Sequence, residues 1–219
     1  MSAASDKPLP VPTPGAAAYP LPVLAFRPAP GWRVPDEAAC HALWDSYAMP
    51  AHIRAHSNLV ACVAASVARM GVAAGVDTDV ATVYASGLLH DIAKDYTIRH
   101  GGNHAQLGAA WTVHETGNPL IAQGVLHHVR WPWDTLDVDA FFLPLVILYA
   151  DKRVMHDTFV GINDRFDDLV ERYGRTDMIR QRIRETQQQA NTIEHALSQR
   201  IGTDLHACTF DCGRLVQRT

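Results

Sequence analysis

From Pro35 onward, apolar side chains return at steps of three and four residues, interrupted by short polar, Gly or Pro segments. That period lays an apolar stripe along one side of a helix. The clearest run is Ile53, Leu59, Val60, Val63, Val67 and Met70, opened by Pro50 and closed by Gly71 or Gly75. An earlier helix is predicted to start at Pro35-Asp36-Glu37 and to pass through Leu43 and Trp44, its acidic first turn matching the helix dipole. Asp77 or Thr78 reads as the cap of a third, running from Val80 through Leu88 and Leu89 to about Ala93. Gly101-Gly102 predicts a loop, Asn103 a cap for a helix over 104–115, and Asn118-Pro119 the start of another over 120–129. Trp131-Pro132-Trp133 predicts a loop, followed by helices near 139–155, 162–173 and 177–200. No segment shows convincing strand alternation, and no internal repeat is visible. The expected fold is all-α: one helical bundle over 36–205, with an irregular Pro/Ala-rich arm over 1–35 and a tail over 206–219.

Composition narrows the function classes. Hydrophobic residues make up 47% and charged residues 19% of 219 positions, as in an ordinary globular chain. A net charge of -4 argues against stable nucleic-acid binding, so an anionic substrate would have to be held by local cations or metal. Cys40, Cys62, Cys208 and Cys212 do not form a disulfide scaffold, and a reducing cytoplasm is the simpler expectation. The longest apolar stretch, over 141–150, contains Pro144 and is too short to span a bilayer, so no membrane partner is expected. The prolines at 8, 10, 12 and 14 argue against a signal peptide. The Pro-rich arm reads as a disordered tail or as an arm lying along the domain or a neighbouring subunit, and the last of these would suit a homodimer.

Histidine is the outlier, at 12 residues scattered between His41 and His206. Imidazole is the commonest metal ligand, so the excess is a lead. The most informative block is Gly87-Leu88-Leu89-His90-Asp91-Ile92-Ala93-Lys94, in which an apolar helix runs straight into His-Asp. Burying those groups without partners would cost about 2–7 kcal/mol for a neutral polar group and more for a carboxylate. A divalent metal removes that cost, because imidazole and carboxylate both ligate first-row ions. Adjacent helical residues point about 100° apart, so both reach one ion only at a helix end or distortion. Further ligands must come from other helices, and His56 and Asp151 are the candidates, the latter closing the apolar run Leu145-Val146-Ile147-Leu148-Tyr149-Ala150.

These blocks resemble the HD-domain superfamily of metal-dependent phosphohydrolases, whose pattern is an upstream His, a His-Asp pair and a later Asp. The chain supplies His56 in His-Ser-Asn-Leu-Val, His90-Asp91 in Leu-Leu-His-Asp-Ile-Ala-Lys and Asp151 in Tyr-Ala-Asp-Lys-Arg-Val, within about residues 50–175. His104-Ala-Gln-Leu-Gly108 and Val125-Leu126-His127-His128 resemble the further blocks of the six-ligand, two-metal HDIG-type version. The resemblance implies a first metal held by His56, His90, Asp91 and Asp151. Asp91 would bridge to a second, held by His104, His127 and the less secure His128. Iron or manganese suits such N/O donors best, with nickel, cobalt and zinc also allowed. The implied chemistry is hydrolysis of a phosphoester or phosphoanhydride by metal-activated water. Lys94, one turn after the pair, would contact a phosphoryl oxygen, with Arg130 and Arg153 as weaker contacts and Asp95 orienting Lys94.

The Gly-Tyr-Pro signature of cyclic-di-guanylate phosphodiesterases is replaced here by Val129-Arg130-Trp131-Pro132-Trp133. The resemblance is instead to small bacterial diadenosine tetraphosphate hydrolases, which implies a small phosphorylated substrate, in particular a nucleotide. Two other classes stay open: a di-iron oxygenase using the same ligand set, and a metal-stabilised regulatory module without turnover. Bland readings also stand beside the ligand set. His56 could instead be a core histidine, His104 a helix-start residue and Lys94 a surface lysine; Trp131 and Trp133 read as core aromatics or as a stacking surface for a base.

Overall fold

Helix starts are set by short polar side chains that satisfy free backbone N–H groups. The computed structural model describes residues 25–210. Asp36 accepts from the Ala39 N–H and opens α1 (Glu37–Ser46). Pro50 precedes α2 (Ala51–Ala73), the long amphipathic helix. Asp79 accepts from the Thr82 N–H at 2.9 Å and so starts α3 (Val80–Leu89), one or two residues later than the expected caps Asp77 and Thr78. After a turn over 90–93 come the short α4 (Lys94–His100), the Asn103-capped α5 (His104–Thr116) and the Asn118-capped α6 (Pro119–His127). The chain then forms α7 (Phe142–Lys152), α8 (Ile162–Tyr173) and α9 (Asp177–Ile201).

The all-helical expectation needs one amendment. Between α7 and α8, β1 (Val154–Met155) pairs antiparallel with β2 (Thr158–Phe159). Two-residue strands are too short to produce a period-two pattern, which is why the alternation test misses them. The helix expected over 139–155 is correspondingly shorter, because Asp137 caps a turn by accepting from the Ala140 N–H and the hairpin consumes the far end.

Burial follows from the patterning. Every residue of α7 is buried, which makes it the central helix. It packs with α2 and α9 in one apolar cluster that includes Val60, Val63, Val146, Ile147, Ile193 and Leu197. A second cluster holds α1 against α3 and α6 through Trp44, Leu88, Leu89, Ile121 and Val125. Trp44 Nε1 donates to the Leu88 carbonyl at 2.9 Å, so its buried polar edge is satisfied. Helix α2 contributes to both clusters and ties them together. The last part of the N-terminal arm crosses the α5–α6 corner, where the Arg33 N–H donates to the Thr116 carbonyl at 3.1 Å. The remainder of the arm, 1–24, and the tail over 211–219 with Cys212 lie outside the described residues. Among the described residues, no helix is long and apolar enough to cross a membrane.

Helices α2 and α3 approach each other through Gly87. A Cβ built there would lie 2.5 Å from the Ala61 Cα, a backbone atom that cannot swing away. Gly87→Ala is therefore expected to destabilise the fold by about 1–3 kcal/mol through overpacking, despite the better helix propensity of alanine. Denaturant unfolding of the variant with metal removed measures this, and equal stability would mean that the two helices separate easily.

Candidate metal centre

Helix α3 ends at Leu89, so His90 and Asp91 sit in the turn that leads to α4 rather than within a helix. The turn frees the pair from the fixed angular spacing of a helix. Both residues are essentially inaccessible, at 0% and 1% exposure. Around them come His56 from α2, His104 from the start of α5, His128 from the end of α6 and Asp151 from the last turn of α7.

Three imidazoles share one arrangement. His90 Nδ1 donates to the Gly87 carbonyl at 2.7 Å, His128 Nδ1 to the Val125 carbonyl at 2.7 Å, and His56 Nδ1 to the His156 carbonyl at 3.1 Å. With Nδ1 carrying the proton, each Nε2 presents a lone pair inward, the tautomer that a metal requires. The inward atoms converge. His56 Nε2 is 3.1 Å from Asp151 Oδ1, and His90 Nε2 is 3.8 Å from the same oxygen. His128 Nε2 is 3.1 Å from His104 Nε2.

Asp91 lies between the two halves. Its Oδ2 faces His90 Nε2 at 3.4 Å and His56 Nε2 at 3.9 Å. Its Oδ1 faces His128 Nε2 at 3.4 Å and His104 Nε2 at 3.5 Å. Two groups have ligand atoms all within 4.8 Å of one another: His56 with His90 and Asp151, and His90 with Asp91 and His128. Both His90 Nε2 and Asp91 Oδ1 are buried without a hydrogen-bond partner. Orphaned polar atoms at the middle of a buried His/Asp cluster fit a divalent-metal site, with room in the ligand set for two ions.

The electrostatics agree with neutral imidazoles around anionic carboxylates. Burial opposes ionisation of Asp91, but His90 and His128 outweigh it and hold the carboxyl well below its usual range. Burial likewise opposes ionisation of Asp151, and Lys152 and His56 overcome it. Burial and the neighbouring His128 push His104 down to about 4, and burial also lowers His128, so both present lone pairs at neutral pH. His90 is the exception: burial lowers it, yet the Asp91 charge raises it further, the same field that would attract a metal cation.

The structure separates the two adjacent histidines at the end of α6. His128 reaches the cluster, whereas His127 packs edge-on against Trp131 and Trp133, with ring centroids 5.4 and 5.0 Å away. Trp131 itself is 1% exposed and donates from Nε1 to the Thr135 carbonyl, so it fills the interior beside His127. Lys94 reaches the cluster, its Nζ 2.7 Å from Asp91 Oδ2, with the side chain 37% exposed. Asp95 pairs with Arg99 and leaves Lys94 to Asp91.

Arg130 is exposed in the loop after α6. Arg153, expected near phosphate, is turned away from the cluster and bonds Glu194 Oε1 at 2.9 Å, the Leu205 carbonyl at 2.6 Å and the Val160 carbonyl at 2.9 Å. It stands two residues beyond Asp151, about 200° around a helix, so the two side chains face opposite ways. Its role is to anchor the chain after α9.

Two contributions escaped the sequence reading. Lys152 is buried, with Nζ 2.6 Å from Asp151 Oδ2 and 3.1 Å from the His128 carbonyl, joining the two halves of the centre from behind. The lysine in Tyr-Ala-Asp-Lys was visible, but nothing in the sequence says that its neighbour's carboxylate needs a buried cation. The other is the His156 backbone, held at φ 57° in the hairpin turn with its carbonyl on His56.

His90→Ala and Asp91→Ala are expected to lose bound metal, and His128→Ala to lose at least part of it, while His127→Ala retains the wild-type content. Metal per chain by mass spectrometry checks this series. Lys152→Gln should weaken metal binding by about 10–100-fold, the usual effect of removing a group that orients a ligand, as read by chelator competition.

Compared with known families, residues 53–172 match the HD domain, a span of more than half of the 219-residue chain. No curated protein and no solved structure matches. The matched span runs from α2 to the end of α8 and includes His56, His90, Asp91, His104, His128 and Asp151. On that match, and on the buried cluster it encloses, the chain belongs to the HD-domain family.

Proposed function

We propose that the protein is a two-metal phosphohydrolase acting on a nucleotide or a related small molecule with phosphoanhydride bonds. One observation carries the reading: the two oxygens of Asp91 face different donor sets, His56 and His90 on one side, His104 and His128 on the other. A carboxylate so placed suits a bridge between neighbouring ions. His56, His90 and Asp151 would complete one site, and His104 with His128 the other. His127, implied as a ligand by the family pattern, takes no part in this assignment.

When bound, a pair of divalent ions supplies a nucleophilic water near neutral pH and Lewis-acid stabilisation of phosphoryl oxygens. The chain's own residues do the rest. The carbonyls of Gly87, Val125 and His156 fix the imidazole rings, so no reorganisation of ligands is needed during the reaction. The Lys94 ammonium, anchored on Asp91 Oδ2 and partly exposed, stands where a non-bridging phosphoryl oxygen would arrive and offsets charge there. Iron or manganese matches the N/O donors, and the resemblance to diadenosine tetraphosphate hydrolases makes dinucleoside polyphosphates the first substrates to try.

Protein purified without chelator is expected to carry about two transition-metal ions per chain and to release phosphate or a nucleotide from a panel of nucleotides and phosphoesters. His90→Ala and Asp91→Ala should fall to the rate of metal-free protein, and added metal should restore only the wild type. Bound iron with oxygen consumption and no phosphate release would instead establish the oxygenase reading. Full metal occupancy without turnover of either kind would leave a metal-stabilised regulatory module.

A further inference from the structure

Helix α8 lies outside the set of elements that supply His or Asp to the cluster, yet a chain of polar contacts reaches from it to His56. His56 Nδ1 donates to the His156 carbonyl at 3.1 Å. The ring of the same His156 accepts at Nε2 from Arg172 Nη2 at 2.7 Å. Arg172 in turn sets Nε against Asp168 Oδ1 at 2.8 Å, one helical turn earlier on α8. A guanidinium donates and never accepts, so the His156 ring meets it with a lone pair. Each link thus has a defined donor and acceptor.

The hairpin turn gives the reason for a large side chain at this position. Val154 pairs with Phe159 and Met155 with Thr158, which leaves His156 and Asp157 as a two-residue loop. His156 stands first in that loop, with φ 57°. Such positions usually carry glycine or asparagine, because most side chains pay for left-handed backbone. Glycine would form the turn freely but would leave nothing to fasten it. Histidine accepts the backbone cost and supplies a ring that Arg172 holds, while its carbonyl meets His56.

We propose that Arg172, oriented by Asp168, is a positioning residue for the metal site of His56, His90 and Asp151. It locks the hairpin turn, the turn aims the His156 carbonyl, and that carbonyl keeps the His56 proton on Nδ1 with Nε2 facing inward. This deepens the two-metal reading and rests on it for the role of His56. The influence of α8 is confined to one half of the centre. His90 and His128 bond carbonyls only three residues before them, Gly87 and Val125, whereas the acceptor of His56 lies 100 residues away on the hairpin. The Arg172 side chain is 46% exposed, so its contacts add little to the stability of the whole fold, and their loss registers at the site.

Calorimetric titration of the metal-stripped full-length protein with manganese(II) tests this, with melting temperature measured alongside. The wild type is expected to show two binding events. Arg172→Gln and His156→Asn should each weaken one of them by about two- to tenfold, leaving the other event and the melting temperature little changed. Asparagine tolerates the left-handed backbone but lacks the ring nitrogen that Arg172 bonds. The double variant should be no weaker than either single one, since both break the same contact. Arg172→Lys, which keeps one donor, should fall between Arg172→Gln and the wild type. Nitrogen NMR of the metal-stripped protein supplies a readout that a merely structural contact would not move: the His56 proton sits on Nδ1 in the wild type, and the two tautomers mix in either variant. Unchanged titrations in both variants overturn the assignment, as do equal weakening of both events or additive losses in the double variant. The metal reading fails separately: a protein that takes up no manganese, yet loses the Nδ1 tautomer of His56 in both variants, keeps this positioning role and discards the ion.

Discussion

Asp91 and Asp151 place two carboxylates in a space closed to water, at 1% and 7% exposure, within contact distance of the same imidazoles. Ionised groups taken out of water lose several kcal/mol of hydration each, and apolar packing returns none of it. Much of the surrounding structure answers that constraint. Lys94 and Lys152 each set an ammonium against one carboxylate. The inward Nε2 atoms contribute dipoles, and the remaining deficit, at His90 Nε2 and Asp91 Oδ1, is of the kind that cations fill.

The helical frame makes such a cluster possible because it brings chain ends together. The centre is assembled where α3, α6 and α7 finish and where α5 begins. Helix ends are where the backbone escapes the fixed 100° step and where free carbonyls become available as acceptors. Gly87 and Val125 both lend such carbonyls, each three residues before the histidine it holds. The apolar clusters to either side fix these ends relative to one another, so the precision of the site depends on packing around α2 and α7 rather than on the ligands alone.

The hairpin and α8 extend the same logic outward. His156 adopts a left-handed backbone conformation, φ 57°, in the turn that aims its carbonyl at His56, and its ring is fastened by Arg172. A non-glycine residue in this region is uncommon and is maintained by surrounding contacts. The carbonyl that orders His56 is thus connected through the His156 ring and Arg172 to Asp168 on α8.

Periodicity and caps in the sequence were enough for the helical class and for most helix starts, because those depend on neighbours three and four residues away. Asn103 and Asn118 cap the helices assigned to them, and the His-Asp pair does fall at a helix end. What the sequence could not decide was direction. His127 and His128 are adjacent and chemically identical, and only the rotation of α6 against Trp131 and the cluster determines which one faces Asp91. Arg153 and Lys152 are likewise neighbours, and the angular step along α7 sends one to Glu194 and the other to Asp151. Local spacing determines which residues lie on a helix and on which face. Which face meets which is settled by the long-range burial of apolar surface, a property of the whole chain and not of any motif.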